Sequence, residues 1–172
     1  MSDAGRVIIE SRSVEDTQRI GRELGRALGA GDVVALVGQL GAGKTALVQG
    51  IAAGAGVADR RQVNSPTFVI VNEYDAGEPG RELRLFHIDA YRLRGADDLA
   101  ALGFEEMPER GAVLVEWADR VREVLPPTTL LVTIESTGPT QRRLTCETSG
   151  VRPGLATAVQ AAAGIVESPR TS

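Results

Sequence analysis

The stretch "GQLGAGKT", residues 38–45, has the pattern G-x-x-x-x-G-K-T. Its chemistry is phosphate binding. Gly38, Gly41 and Gly43 remove Cβ atoms where a backbone must wrap an anion, with Leu40 and Ala42 contributing main-chain N–H groups between them. Lys44 places a compact positive charge on the terminal phosphates, and the Thr45 hydroxyl can ligate Mg²⁺. Of the 19 Lys and Arg residues, Lys44 is the only lysine. A chain that uses arginine everywhere else keeps lysine where a planar guanidinium fits poorly. The competing reading is a tight glycine-rich turn that happens to contain a lysine.

Three further stretches carry chemistry at the right distance along the chain. In "AVLVEW", Glu116 ends an apolar run, and parallel strands present their carboxyl ends to the ligand crevice. An acid there can hold Mg²⁺ directly or through water, as the Walker-B acid does. The usual residue is Asp, so the pattern alone leaves open a strand that ends at the surface in a solvated acid. In "LFHIDAYRL", an extended chain puts His87, Asp89 and Tyr91 on one face and Phe86 and Ile88 on the other. Asp89 is then a candidate for orienting or deprotonating the attacking water, or for holding a Mg²⁺-bound water, with His87, the single histidine, in support. The alternative is a strand with one solvated face. In "NSPTF", the Ser65 and Thr67 hydroxyls either reach the phosphates or belong to a strand-entry turn. Trp117 by its type reads as core, and Cys146, in an expected strand, as an inert small hydrophobe.

The elements that must position these groups are legible in the periodicity. "DVVALV" is apolar from Val33 to Val37, as a strand buried on both faces requires. It runs into the glycine loop, and "ALVQGIAAGAG" then places Leu47, Val48, Ile51, Ala52 and Ala55 on one helical stripe. Upstream, Ser13 and Asp16 stand at capping-box spacing before a helix with Ile20, Leu24, Ala27 and Leu28 on one face, weakened by Gly21 and Gly25. "TFVIVNEY" and "ELRLFHID", separated by "DAGEPGR", predict a β-hairpin. "GADDLAALGFEEM" predicts a short helix, "TLLVTIE" and "RRLTCE" a second hairpin, and "GLATAVQAAAGIV" a small alanine-rich helix before a fraying end. The fold expected is α/β: one three-layer P-loop domain over residues 1–150, its mixed sheet flanked by helices and a β-hairpin set between the loop helix and the Walker-B-like strand. Residues 151–172 form a tail.

Composition narrows the class. The 172 residues carry a net charge of −4, 42% hydrophobic and 24% charged residues, and one cysteine. That fits one water-soluble domain without internal disulfides, and a cytoplasmic setting is expected. No apolar segment approaches the roughly 18 residues of a membrane span, and the scattered arginines do not form the basic stripe of an unaided nucleic-acid binder. A Ras-type GTPase needs a second lysine in N-K-x-D, which is lacking. A small-molecule kinase, with "YRLRGADD" as its lid, and a nucleotide-gated binding module without meaningful hydrolysis stay open beside a compact ATPase.

The chain closely resembles the TsaE (YjeE) family, the ATPase of bacterial tRNA threonylcarbamoyladenosine synthesis. The matching stretches are "GQLGAGKTALVQG", "NSPTFVIVNEY", "HIDAYRL", "LGFEEM" and "VLVEWADRV", in family order over residues 20–143. The resemblance implies an ATPase that is slow alone and stimulated by its partners TsaB and TsaD, with tRNA met only through that complex. It implies ATP and Mg²⁺ as cofactors, residues 38–45 as the phosphate loop, and Thr45 and Glu116 as Mg²⁺ ligands, a Glu before Trp being the family's form of the second metal group. Asp89 and Lys44 follow as catalytic, Ser65 and Thr67 as switch-like, His87 as supporting and Trp117 as lying near the nucleotide. Val14 and one of Arg142 or Arg143, with Arg143 preferred, are the candidate adenine contacts. Gln39 stands where the family often has an acid, and Ala46 where a second threonine is common.

Overall fold

The computed structural model describes residues 5–59, 63 and 70–167. Among these residues seven strands form one sheet: β1 (Arg6–Ser11), β2 (Val33–Val37), β3 (Val71–Glu78), β4 (Arg81–Asp89), β5 (Ala112–Glu116), β6 (Leu130–Ser136) and β7 (Arg142–Glu147). Their spatial order is β1-β7-β6-β2-β5-β4-β3. The four inner strands β6, β2, β5 and β4 run parallel, and the antiparallel pairs β1–β7, β6–β7 and β3–β4 complete the two margins. Strand β2 and the apolar run of β5 are adjacent at the centre, where both faces are covered. The hairpin β3–β4 falls between the loop helix and β5, as the sequence predicts.

Among the described residues five α-helices flank the sheet: α1 (Val14–Ala27), α2 (Lys44–Ala55), α3 (Ala96–Ala101), α4 (Met107–Arg110) and α5 (Pro153–Glu167). The two faces are covered unequally. On one side α1, α2 and α5 bury Ile20, Leu24, Leu47, Ile51, Leu155 and Val159 against the sheet. Each such side chain contributes about 1.5–3 kcal/mol when fully removed from water. On the other side, short helical pieces and turns supply Leu99, Phe104, Met107 and Val121 against Phe86, Ile88, Val113 and Val115. The single helix expected over "GADDLAALGFEEM" is broken at Gly103, which has φ +77° and separates α3 from the 3₁₀ turn Phe104–Glu106 and α4.

The glycines that weaken α1 by propensity have a packing reason. A Cβ on Gly21 would sit 2.5 Å from the Leu47 carbonyl oxygen and one on Gly25 2.0 Å from that of Ile51, while Gly50 and Gly54 of α2 press equally on Gln18 and Arg22. The α1–α2 seam is thus backbone on backbone, and it fixes the helix that begins with Lys44. Ser13 caps α1 by accepting from Asp16 N at 3.1 Å, and the Asp16 carboxylate accepts from Arg12 N at 3.2 Å. These contacts satisfy main-chain donors at the helix start.

Strand β1 and the packing of the expected C-terminal helix lie beyond the sequence expectations. β1 was not anticipated, because only Ile9 and Ser11 of its six residues are buried and its pattern is that of an exposed margin. The last helix, α5, packs on α1 and β1, with Leu155, Val159, Ala162 and Val166 buried. Arg152 ties its start to Asp32 at the foot of β2, with Nη2 to Oδ2 at 2.7 Å and Nε to Oδ1 at 3.1 Å.

Candidate nucleotide site

Parallel strands end together, and here the ends of β2, β5 and β4 line up along one edge of the sheet. Register pairs Leu36 with Glu116 and Glu116 with Asp89. The phosphate loop follows β2 on the same edge. Gly43, at φ +107° and ψ 14°, takes the left-handed turn that lets α2 start directly at Lys44. Gly38 passes so close to β6 that a Cβ would lie 2.7 Å from the Ile134 carbonyl oxygen. The loop is closed by Ala42 N donating to Gln39 O at 3.0 Å, and Leu40 at its tip is 89% exposed. A helix N-terminus preceded by such a loop aims main-chain N–H groups and the positive end of the helix dipole at one point.

Lys44 is buried at the centre of this edge. Its Nζ donates to the carbonyl oxygens of Gly38 and Gln39 and lies 4.0 Å from the centroid of the Trp117 ring. Burial lowers the Lys44 pKa from its ordinary value, and the negative charges of Glu116, Asp119 and Asp89, in that order, push back against the shift. The same opposition shows that three carboxylates act on one ammonium. Thr45, the next residue, is exposed at the first turn of α2.

The acid wall opposite the loop is built by β4 and β5. Glu116 is buried, and its Oε2 lies 2.6 Å from His87 Nε2, with both side chains almost inaccessible. His87 therefore serves Glu116, whereas the strand pattern had set it beside Asp89. Asp89 is half-buried and accepts from Tyr91 N at 2.9 Å, capping the 3₁₀ turn Ala90–Arg92. That turn ends the extended chain, so Tyr91 leaves the line of His87 and Asp89 and is exposed. The solvated-face alternative for β4 does not hold at its end, since Leu85 to Ile88 are all buried. Trp117 has φ 56° and ψ 40°, the only non-glycine residue at positive φ among the described residues. Such a backbone costs about 1–3 kcal/mol and is kept where the surroundings fix it. Here the ring is held between Lys44 and the Tyr91 ring, whose centroid is 4.9 Å away, and Arg120 lies over the outer face of Tyr91 at 5.0 Å.

The remaining candidates separate. Val14 begins α1 on the same edge, since β1 runs in the direction of β6, and it is exposed. Arg143 points away from the loop and pairs with Glu10, Nε to Oε1 at 2.6 Å. Arg142 is the arginine beside the loop: a Cβ on Gly43 would lie 3.6 Å from its Nε, and its Nη2 is 3.5 Å from the Gly41 carbonyl oxygen. Ser65 and Thr67 lie outside the described residues. Asp119 joins the site without having been singled out for it, and Tyr91, which alternation set on the face of His87 and Asp89, meets it instead through the Trp117 ring. The "EWAD" spacing held the only signal for Asp119, and the fold alone shows it.

Glycine loop, lysine at a helix start and an acid on the neighbouring parallel strand define a nucleotide-binding P-loop fold. Residues 11–144 match the family model described as "Threonylcarbamoyl adenosine biosynthesis protein TsaE". The chain belongs to the TsaE family. It is similar to the curated tRNA threonylcarbamoyladenosine biosynthesis protein TsaE of Treponema pallidum, at 38% identity over 78% of this chain and 96% of that one. The Bacillus subtilis protein of the same name is 40% identical over 80% of this chain and 83% of its own length. The Mycobacterium tuberculosis (strain H37Rv) protein is 39% identical over 76% and 80%. Among solved structures, the crystal structure of Bacillus subtilis YdiB superposes with a TM-score of 0.72 at 29% identity, covering 93% of this chain and 95% of that one.

Proposed function

We propose that this protein binds and hydrolyses Mg²⁺–ATP in the service of tRNA threonylcarbamoyladenosine synthesis, turning over slowly alone and faster with TsaB and TsaD homologues. The observation that carries the reading is Lys44, buried against the loop carbonyls and the Trp117 ring with Glu116, Asp119 and Asp89 acting on its charge. A cation so enclosed by weak acceptors is set to move onto phosphate oxygens, which are far better partners.

The donor set suits Mg²⁺. No group of three or more His, Cys, Asp or Glu side chains able to hold a metal occurs among the described residues. Mg²⁺ needs none, because it binds through one or two protein oxygens together with water and phosphate. Thr45 and Glu116 are the side chains that would supply those oxygens in this reading, and a bound Mg²⁺ would contribute charge neutralisation at the phosphates. Main-chain N–H groups of residues 38–45 and the Lys44 ammonium bind the phosphates and stabilise charge as the γ-phosphate bond breaks. Asp89, beside Glu116 in register, orients the attacking water and receives its proton. Ser65 and Thr67 act as switch-like hydroxyls, and Val14 with an arginine of β7 meets the adenosine end.

Partner stimulation has support in the rim of the site. Val14, Leu40 and Tyr91 are exposed apolar residues, and all three lie on the edge that holds the loop. Among the described residues no helix is long and apolar enough to cross a membrane, and the protein acts in the cytoplasm in this reading. The test is phosphate release from ATP with and without a purified TsaB–TsaD pair. Stimulation by the pair is expected; turnover that rises instead with a small hydroxylated acceptor, giving a phosphorylated product, would make the protein a kinase.

A further inference from the structure

The His87–Glu116 contact asks for a reason. At 2.6 Å it is a short hydrogen bond in a fully buried place, 1% and 3% exposed on its two sides. In the ionised form that ligates a cation, Glu116 can only accept, which makes His87 Nε2 the donor of this contact. The other ring nitrogen, Nδ1, has no hydrogen-bond partner, one of two such buried side-chain atoms among the described residues. A buried polar atom left unpaired is costly, and an apolar side chain of similar size would fill the space without that cost. The imidazole is therefore retained for what Nε2 does. Register explains its aim: His87 stands opposite Leu114 on β5. From there it reaches forward, two positions along the strand, to Glu116. The Tyr74 ring of β3 has its centroid 6.5 Å from that of His87, and burial has pushed up the pKa of its phenol.

We propose that His87 is a positioning residue for the divalent cation: by holding Oε2 of Glu116 it fixes the carboxylate toward the phosphate loop before Mg²⁺–ATP arrives. This rests on the nucleotide reading above. Outer partners of metal ligands act in this way, restricting the ligand's rotation so that little ordering remains to be done on binding. Without the donor, the carboxylate of Glu116 faces a buried nitrogen's empty place and turns elsewhere, toward Lys44, whose charge already senses it.

The experiment measures ATP affinity by calorimetry across a Mg²⁺ titration, and again in EDTA, for wild type, His87→Gln, His87→Asn and His87→Leu. Gln can set its amide nitrogen where Nε2 was, Asn falls short, and Leu fills the volume without donating. The Mg²⁺ midpoint is expected to rise about 10–100-fold in Asn and Leu, to return most of the way in Gln, and the EDTA affinity to stay level in all four. Thermal unfolding without nucleotide reports the fold, and if Leu does not fold, Asn carries the test. Wild-type midpoints in Asn and Leu, or an equal loss of affinity in EDTA, would overturn the positioning role. A wild type that binds no ATP under either condition would instead overturn the nucleotide reading itself.

Discussion

The two walls of the site are made in opposite ways. The phosphate loop is one continuous piece of chain, residues 38–45, shaped by its own glycines and held by the helix it begins. The acid wall is assembled from residues separated by 27 and 29 positions, Asp89 and His87 on β4 and Glu116 on β5, brought together only because two parallel strands share a register. The loop supplies donors and positive charge through local geometry. The wall supplies acids through the sheet. The loop's shape is set mainly by its own residues, whereas the wall fails if either of its strands shifts, and it is buttressed accordingly by the His87 bond and the strained Trp117.

Substitutions on either side sharpen that contrast. The largest effect is expected on the loop: Lys44→Met should lower kcat about 10²–10³-fold, the loss seen when one preorganised donor of a developing charge is removed, measured by phosphate release under saturating Mg²⁺. Next is the wall, where Asp89→Asn should lower kcat by about 10²-fold with ATP affinity held if Asp89 is the general base proposed above, since such a base acts after binding; single-turnover kinetics beside calorimetry separate the two. A loss of affinity as large as the loss of rate would make Asp89 a binding group and erase its distinction from the loop. Smaller again is the outer flank. Arg142→Ala should raise the Kd for ATP about tenfold, as one charged hydrogen bond warrants, while Arg143→Ala, bound to Glu10, should leave it unchanged.

The smallest effect concerns stability and has the opposite sign. Burial lowers the Lys44 pKa below 10.5. The folded chain therefore binds this proton less firmly than the unfolded chain, and stability rises with pH between the folded and unfolded values. Below that window the buried charge is a net cost. Lys44→Met should consequently unfold at a temperature about 2–4 °C higher than wild type at pH 7, for each kcal/mol released. The gap should close as pH approaches 10.5, the value of the exposed amine. Differential scanning calorimetry at both pH values, without nucleotide, decides it.

How far the sequence reached follows the same division. The loop, β2 and α2 were legible because spacing, apolar runs and helical stripe all lie within residues 33–55, and every residue of the expected α2 stripe is buried. Glu116 was legible as an acid ending an apolar strand. What His87 does was not, since alternation along β4 reports a face and says nothing of which neighbouring strand the ring will meet. Tyr91 shows the limit of alternation: Asp89 caps a 3₁₀ turn, and the two-residue period stops there. Of the adjacent arginines, Arg142 and Arg143, only the pleat of β7 decides which faces the loop. β1 escaped because a marginal strand needs few buried residues, and its Ile8 is exposed. The helix glycines were read as a weakness because propensity is local, while the backbone contact that requires them joins residues about 26 to 32 positions apart.

Trp117 is the protein's single tryptophan, and its indole has an ammonium 4.0 Å from its centre and a phenol ring tilted against it. A nucleotide that draws Lys44 onto its phosphates takes that charge off the ring, with no other indole to dilute the change. The emission spectrum of the unlabelled protein thus becomes an optical gauge of where one lysine points, readable in real time while ATP, ADP or a partner protein is mixed in.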